Sequence, residues 1–167
     1  MSGAPFEPED GTERHARNLC RIGMEQIVSG LLDAAIETLE ESLKLHPTAE
    51  AYTYRAWAES LKGRHTAAIT LCRKAIRLDP QYGNPYNDTG VYLMQLGRLD
   101  EALIWLDRAK RAARYDRRHF PYLNAGRIHM LLGEQSKALD EYVAALEIDP
   151  ENDIARQAIA EMEMDFF

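Results

Sequence analysis

The sequence predicts an all-α protein in which four helix-turn-helix repeats stack into a solenoid. Three regularities of the 167-residue chain lead to this fold class. A glycine recurs at a near-constant spacing, an alanine follows each of these glycines by five residues, and a small residue precedes each by seven. A repeat of 33 to 36 residues, the spacing of these glycines, is one supersecondary unit that can bury its apolar face only against its neighbours. The regularities therefore predict a row of stacked repeats with one continuous core.

The recurring glycine predicts the turn between the two helices of each repeat. Glycine commonly ends a helix because it adopts the left-handed backbone conformation without a steric penalty from a Cβ atom. We expect the first helix of every repeat to end at this glycine. Its four copies, separated by 33, 34 and 36 residues, are Gly30, Gly63, Gly97 and Gly133.

The small residues on both sides of the turn predict a close crossing of two antiparallel helices. A larger side chain at the crossing would hold the two backbones apart. Bulkier residues recur at one position of the second helix and are expected in the core: Leu39, Cys72, Leu106 and Tyr142. The small residues are Gly23, Ala56, Gly90 and Gly126 before the turn and Ala35, Ala68, Ala102 and Ala138 after it.

These residues resemble the tetratricopeptide repeat, a 34-residue helix-turn-helix family with glycines, alanines and a proline at the same offsets. The resemblance covers residues 16–152 and implies a right-handed α-solenoid. The third repeat is two residues too long, within 114–118, which implies either a longer second helix or a looser link to the fourth repeat. The expected divisions are a flexible tail at 1–15 and a repeat domain at 16–167, with repeats at 16–48, 49–82, 83–118 and 119–152 and a capping helix at 153–165.

The composition argues against several classes of partner and compartment. The chain holds 27 acidic and 20 basic residues, and its net charge of -7 disfavours the attraction to phosphate on which nucleic-acid binding depends. Residues 1–14 contain no apolar run that could serve as a signal peptide or a membrane span. Cys20 and Cys72 lie far apart without a C-x-x-C spacing, which indicates neither a disulfide framework nor a zinc site. We expect a cytoplasmic protein that neither binds nucleic acid nor inserts into a membrane.

No combination of residues in the sequence predicts catalysis, and no metal or cofactor is expected. None of the five histidines belongs to a pair with metal-ligand spacing. His129 falls where the family packs an aromatic side chain between helices, so we expect a core histidine with a hydrogen-bond partner. Cys20 and His15 are close in sequence, but no third group that would orient them is apparent. The glycines are accounted for by turns and helix crossings, which argues against a phosphate-binding loop.

The resemblance implies that the first helices of the repeats line a concave groove, on which the family binds an extended or helical peptide. Twelve of the twenty residues at the groove positions are apolar and three are charged, which favours an apolar or amphipathic segment of another protein. Trp57 offers a large anchoring face, and Arg127 is a candidate to hold a carboxylate. The same apolar pattern is also typical of packing between repeats. The expected contacts are Met24, Thr53, Trp57, Asn87, Val91, Met94, Leu123 and Arg127.

The co-chaperone members of the family grip the acidic C-terminus of heat-shock chaperones with a lysine, two asparagines, a second lysine and an arginine. This chain lacks that set, so we do not expect it to bind such a terminus. Counted from the first repeat, the corresponding residues are Cys20, Met24, Tyr54, Asn84 and Asp88. Counted from the second repeat, they are Thr53, Trp57, Asp88, Phe120 and Asn124.

A cluster of basic residues at the end of the third repeat is a second candidate surface. Within residues 107–118, six basic residues against two aspartates leave a surplus of four positive charges in an acidic protein. A solvated helix face explains such a cluster, and contact with an acidic partner or an acidic face of another copy is the alternative. The basic patch comprises Arg108, Arg111, Arg114, Arg117 and Arg118.

The sequence thus predicts a protein-interaction module, which acts as an adaptor, scaffold or chaperone-like protein and holds a partner segment in its groove. The alternative is a structural scaffold in which the repeats self-associate through the groove and the C-terminal tail. That tail ends in Phe166 and Phe167. An enzymatic function has no supporting set of residues.

Overall fold

The computed structural model describes residues 11–164, and within that range it contains nine α-helices and no β-strand. The prediction of an all-α fold is confirmed. The helices are α1 (Gly11–Val28), α2 (Leu32–Leu45), α3 (Ala49–Leu61), α4 (His65–Leu78), α5 (Asn84–Gln95), α6 (Leu99–Arg111), α7 (Phe120–Leu131), α8 (Gln135–Ile148) and α9 (Asp153–Met164).

The helices stack in a row of four pairs. The most extensive contacts join α1 to α2, α3 to α4, α5 to α6 and α7 to α8, and each pair also contacts the next pair along the chain. The first helices of successive pairs touch one another as well, so α1, α3, α5 and α7 lie side by side. This arrangement is the predicted α-solenoid. At its end α9 packs against α8, where Ala155 and Met162 are buried in one cluster with Leu123 and Tyr142.

The first helix begins earlier than expected. Residues 11–15, for which the sequence predicts a flexible tail, form the first turns of α1. Glu13 in the first turn places a negative charge at the positive end of the helix dipole, and the backbone carbonyl of buried Ala16 accepts a hydrogen bond of 2.7 Å from the Ser42 hydroxyl of α2. The helix is therefore tied to its partner close to its start.

The four recurring glycines adopt the left-handed backbone conformation that the turn requires. Their φ angles are 78° at Gly30, 76° at Gly63, 73° at Gly97 and 73° at Gly133, whereas no other residue type between 11 and 164 has a positive φ. A residue with a Cβ atom would be strained at these positions, which explains why glycine recurs there. The predicted position of the turn is confirmed in all four repeats.

At each helix crossing, the size of the residue on the first helix is matched to the size of the residue that faces it on the second helix. A Cβ atom added to Gly23 would lie 2.5 Å from Leu39 Cγ, and one added to Gly90 would lie 2.7 Å from Leu106 Cγ. These glycines therefore make room for the leucine on the facing helix. The second repeat has Ala56 at this position, and the residue in the leucine position there is the shorter Cys72; both are fully buried. The small residues thus allow close packing, as predicted.

We expect Ala102→Leu to lower the free energy of unfolding by about 1–3 kcal/mol, because overpacking a filled core costs that much. Ala102 is fully buried, and a Cβ atom on Gly90 would lie only 3.3 Å from its carbonyl oxygen, so α5 and α6 approach closely here. Denaturant unfolding of this variant would be compared with that of Ala67→Leu, an exposed alanine in α4. An unchanged midpoint for Ala102→Leu would contradict the close crossing.

The extra residues of the third repeat do not lengthen its second helix. Helix α6 ends at Arg111, and residues 112–119 form a loop that folds back onto the α4–α5 connection. The Gly83 backbone N–H donates to the Arg114 carbonyl at 2.9 Å, and the Arg114 N–H donates to the Gln81 carbonyl at 2.9 Å. The expected longer helix is therefore wrong. The expected looser link agrees with the packing, since α6 contacts α7 less extensively than α2 contacts α3 or α4 contacts α5. The two backbone hydrogen bonds instead anchor the loop to the preceding repeat.

Candidate functional site

The side-by-side first helices form one face of the solenoid, and a cavity of about 450 Å³ opens on it. Its walls come from α1, α3, α5, the start of α7 and the anchored loop at 112–119. Side chains from all four repeats, including the loop of the third, therefore meet in one place. This groove cavity is lined by Met24, Val28, Thr53, Tyr54, Trp57, Asn84, Asn87, Asp88, Tyr115, Arg117 and Phe120.

Four of the expected groove contacts line this cavity: Met24, Thr53, Trp57 and Asn87. Trp57 is half-buried, because it packs against the buried cluster of α1, α2 and α3 while still lining the cavity. The Thr53 hydroxyl donates to the Ala49 carbonyl at 2.7 Å, so its polar group is satisfied within α3. Of these contacts, Trp57 and Met24 therefore give the cavity apolar surface, whereas the Thr53 hydroxyl already donates its hydrogen bond within α3.

A second cavity, of about 230 Å³, lies beside the first, nearer the C-terminal end of the row. It contains two further expected contacts, Leu123 and Arg127. Asn87 and Phe120 line both cavities and therefore join them into one groove. The lining residues of the second cavity are Asn87, Phe120, Leu123, Asn124, Arg127 and Ile154.

The structure does not bring the last two expected contacts into either cavity. Val91 and Met94 are half-buried and pack against the main core cluster, which the third and fourth helix pairs share with the second. The sequence pattern left open whether such apolar residues face the groove or pack between repeats. For these two residues, the structure places the side chains against the core.

A chain of polar side chains crosses the floor of the groove. Asn124 on α7 donates a hydrogen bond of 3.0 Å from Nδ2 to Asn87 Oδ1 on α5, and Asn87 Nδ2 donates to Asp88 Oδ1 at 3.3 Å. Both asparagines are buried, at 9% and 6% exposure. Burial raises the pKa of the Asp88 carboxyl to about 7, and no lysine, arginine or histidine between residues 11 and 164 forms an ion pair with it. Among the residues that the structure describes, the groove therefore holds an acidic group without a counter-ion.

Several lining residues were missed as groove contacts by the sequence prediction. Tyr54 and Asp88 occupy the same position of the second and third repeats, and the comparison with the co-chaperone set was the one signal that singled them out. Tyr115 and Arg117 come from the loop, whose path carries no periodic signal. The Arg117 guanidinium lies 5.5 Å from the centre of the Phe120 ring, so this member of the predicted basic patch belongs to the groove.

The remaining residues of the basic patch do not form one surface. Arg114 pairs with Glu50 on α3 and with Asp79 after α4, and its guanidinium lies 4.5 Å from the centre of the Tyr82 ring. The Arg118 guanidinium donates to the Ala113 carbonyl at 3.0 Å. Both side chains thus help to hold the loop in place.

Arg108 and Arg111 lie instead at a separate hollow that shares no lining residue with the two groove cavities. They line an outer hollow of about 440 Å³ together with Tyr86 and Trp105, and the Arg108 guanidinium lies 4.7 Å from the centre of the Trp105 ring. The predicted basic patch is therefore divided among the groove, the loop anchor and this outer hollow. The hollow is lined by Ile76, Pro80, Gln81, Tyr86, Trp105, Arg108, Arg111 and Ala112.

The two cysteines and His129, outside the groove, have the surroundings of packed side chains rather than of reactive groups. Burial raises the pKa of the Cys20 thiol to about 11 and that of the Cys72 thiol well above its usual value, so both remain protonated at neutral pH. His129 Nδ1 lies 2.6 Å from Glu134 Oε2, the hydrogen-bond partner expected for a core histidine.

Between residues 11 and 164, no three His, Cys, Asp or Glu side chains cluster as metal ligands would. In the same range no helix is long and apolar enough to cross a membrane.

Comparison with known proteins identifies the repeats. Family models of the tetratricopeptide repeat match residues 20–83, 61–120 and 121–152. A small glutamine-rich tetratricopeptide repeat-containing protein 2 of Mycosarcoma maydis is 32% identical over 97 residues, or 58% of this chain. The match covers 28% of that relative, so the chain spans just over a quarter of its length.

Two solved structures with the same fold are informative. The structure described as the functional characterization of Pseudomonas aeruginosa pilF superposes with a TM-score of 0.87 at 19% identity, over 93% of this chain and 71% of the other. The first repeat domain of Spaghetti (RPAP3), bound to the HSP90 peptide SRMEEVD, superposes with a TM-score of 0.64 at 21% identity. That match covers 72% of this chain and 95% of the other. At these identities the likeness concerns the fold.

Proposed function

Because the chain belongs to the tetratricopeptide-repeat family, we propose that it is a protein-interaction module whose groove holds a peptide or helical segment of another protein. The observation that carries this proposal is the groove cavity, which four helices and a loop line and to which α1 and α3 contribute Met24, Val28 and Trp57. Val28 is 71% exposed, although valine is a residue that proteins usually bury. Large aromatic and adaptable methionine side chains in a concave site are typical of protein-binding surfaces.

The continuity of the two cavities supports a segment that runs along the row of first helices. Such a segment would enter beside α1, pass over Asn87 and Phe120, and end near Arg127 of α7. The buried asparagines Asn87 and Asn124 already bond each other, which holds this part of the groove in one arrangement before a segment binds. Arg127 is exposed and suits a carboxylate of the bound segment. This arrangement fits an adaptor or chaperone-like role.

The two tryptophans of the chain provide a direct test, since Trp57 lines the groove and Trp105 lines the outer hollow. Peptides selected from a random display library on the wild-type chain would be added to Trp105→Phe and to Trp57→Phe. We expect the emission of Trp57, seen alone in Trp105→Phe, to change on binding, because its surroundings become desolvated. The emission of Trp105, seen alone in Trp57→Phe, should stay constant. The opposite pattern would place the site on the outer hollow and contradict the proposal.

A self-associating scaffold is the second candidate function. It is favoured by the outer hollow, where Trp105, Arg108 and Arg111 combine an aromatic face with positive charge on a chain of net charge -7. The C-terminal tail proposed as a contact, with Phe166 and Phe167, lies outside the described residues. Light scattering separates the two functions, because a monomer at high protein concentration contradicts the scaffold.

The two buried free cysteines agree with a cytoplasmic location, which stays a proposal.

A further inference from the structure

We propose that the groove cavity binds a lysine or arginine side chain of the partner segment, with Asp88 as its counter-ion and the surrounding aromatic rings as its walls. This inference rests on the proposed function and adds the chemistry of the bound residue. The occupant follows from the charge and the shape of the cavity.

The first argument is that Asp88 has no counter-ion within residues 11–164. Its carboxylate receives one hydrogen bond, from the neutral amide of Asn87 at 3.3 Å, and no ion pair from any residue between 11 and 164. A partly buried carboxylate without a cation is costly, since its hydration is only partly replaced. Asp88 also lines the cavity, so a cation brought by a ligand has direct access to it. Binding a cation would remove the cost that the free protein bears.

The second argument is the aromatic lining. Tyr54, Trp57, Tyr115 and Phe120 line the same cavity as Asp88. The faces of aromatic rings attract cations, and recognition of ammonium groups by several rings is a recurrent use of this interaction. The apolar stem of a lysine or arginine side chain would lie against the rings and the neighbouring apolar residues, while its charge reaches the carboxylate.

The third argument concerns the other charges at the site. Of the lining residues, Asp88 and Arg117 are the acidic one and the basic one, and Arg117 lies over Phe120 without pairing with Asp88. An acidic ligand side chain beside Asp88 would bring two negative charges together in a partly buried site, which is strongly unfavourable. Arg117 is a like charge for a basic ligand, so we expect Arg117→Gln to tighten binding.

The protonation of Asp88 should make the affinity for a basic ligand depend on pH. Burial raises its pKa to about 7, and the groups that face it from other elements are Cys72 on α4, Tyr82 before α5 and Tyr115 in the loop, with Tyr92 on α5 itself. All four have raised pKa values and stay neutral near pH 7. A bound cation requires the ionised carboxylate, whose fraction grows as the pH rises. Affinity for a basic peptide should therefore increase as the pH rises through about 7.

The experiment begins with a random peptide display library selected on the full wild-type chain, on Asp88→Asn and, as a matched control, on Asp100→Asn, an exposed aspartate of α6 outside the groove. We expect wild type and Asp100→Asn to enrich lysine and arginine, and Asp88→Asn to lose that enrichment. Replacing the basic residue of one acetylated, histidine-free peptide by norleucine should weaken binding to wild type by about tenfold or more, the range of close charge pairs in interfaces. It should have little effect on binding to Asp88→Asn.

The outcomes separate the inference from the proposed function. Selected peptides that change Trp57 emission but carry no basic preference overturn the inference and leave the proposed function standing. Selected peptides that bind away from the groove overturn both. If Asp88→Asn does not fold, the affinity of the wild-type chain for the basic peptide is measured between about pH 6 and 8. An affinity that stays constant over this range contradicts a role of Asp88, with its raised pKa, as the counter-ion.

Discussion

We expect Trp57→Ala to bind a groove-selected peptide about thirtyfold or more weakly than the wild-type chain. Central aromatic residues of protein-binding surfaces typically cost at least about 2 kcal/mol when truncated, and about 1.4 kcal/mol corresponds to a factor of ten in affinity. Trp57 lines the groove cavity and packs against the buried cluster of α1, α2 and α3, so its ring is held ready for contact before binding. Fluorescence anisotropy of a labelled peptide would measure the loss.

The matched control is Arg111→Glu, a charge reversal in the outer hollow that should leave the affinity unchanged. Because Trp57 also packs against core residues, circular dichroism must establish that Trp57→Ala is folded at the assay temperature. Retained binding by a folded Trp57→Ala variant, together with loss of binding by Arg111→Glu, would move the site from the groove to the outer hollow.

We expect Gly90→Ala to lower the free energy of unfolding by about 1–3 kcal/mol, the usual cost of overpacking. The sign is informative, since alanine within a helix is otherwise more favourable than glycine by about 1 kcal/mol. The added Cβ atom would lie 2.7 Å from both Cγ and Cδ2 of Leu106, a side chain that is fully buried and has no room to retreat. Denaturant unfolding of the two proteins gives the difference.

The second repeat suggests the compensating change. There Ala56 and Cys72 are both fully buried at the equivalent positions, so Leu106→Cys should make room for the methyl group of Gly90→Ala. Leu106→Cys alone should destabilise strongly, because it removes core volume. In a double-mutant cycle, Gly90→Ala should cost little or nothing in the Leu106→Cys background. The same cost in both backgrounds would show that the two positions are not coupled by size.

The repeat architecture could be predicted because its causes are local and recur. The left-handed turn at Gly30 and its three counterparts and the contact of Gly23 with Leu39 each involve residues close together in sequence, and each occurs again one repeat later. The groove was predicted less completely. Met24 and Trp57 line it, whereas Met94 occupies a groove position by count but packs against the core. Periodicity gives the helix face of a residue, but not how far the neighbouring helix covers it.

The sequence by itself determined the all-α class, the helix pairs, their turns and the face on which the groove lies, since these depend on backbone conformation and periodic packing. Only the tertiary structure decided that residues 112–119 fold back onto the preceding repeat, which brings Tyr115 and Arg117 into the groove beside Asp88. That path depends on hydrogen bonds that join Arg114 to Gly83 and to Gln81, about thirty residues away, and on ion pairs of Arg114 with Glu50 and Asp79. Between residues 11 and 164 such contacts do not recur from repeat to repeat, so no repeat pattern predicts them. The lack of an ion pair at Asp88 within the same range likewise follows only from the tertiary positions of its neighbours.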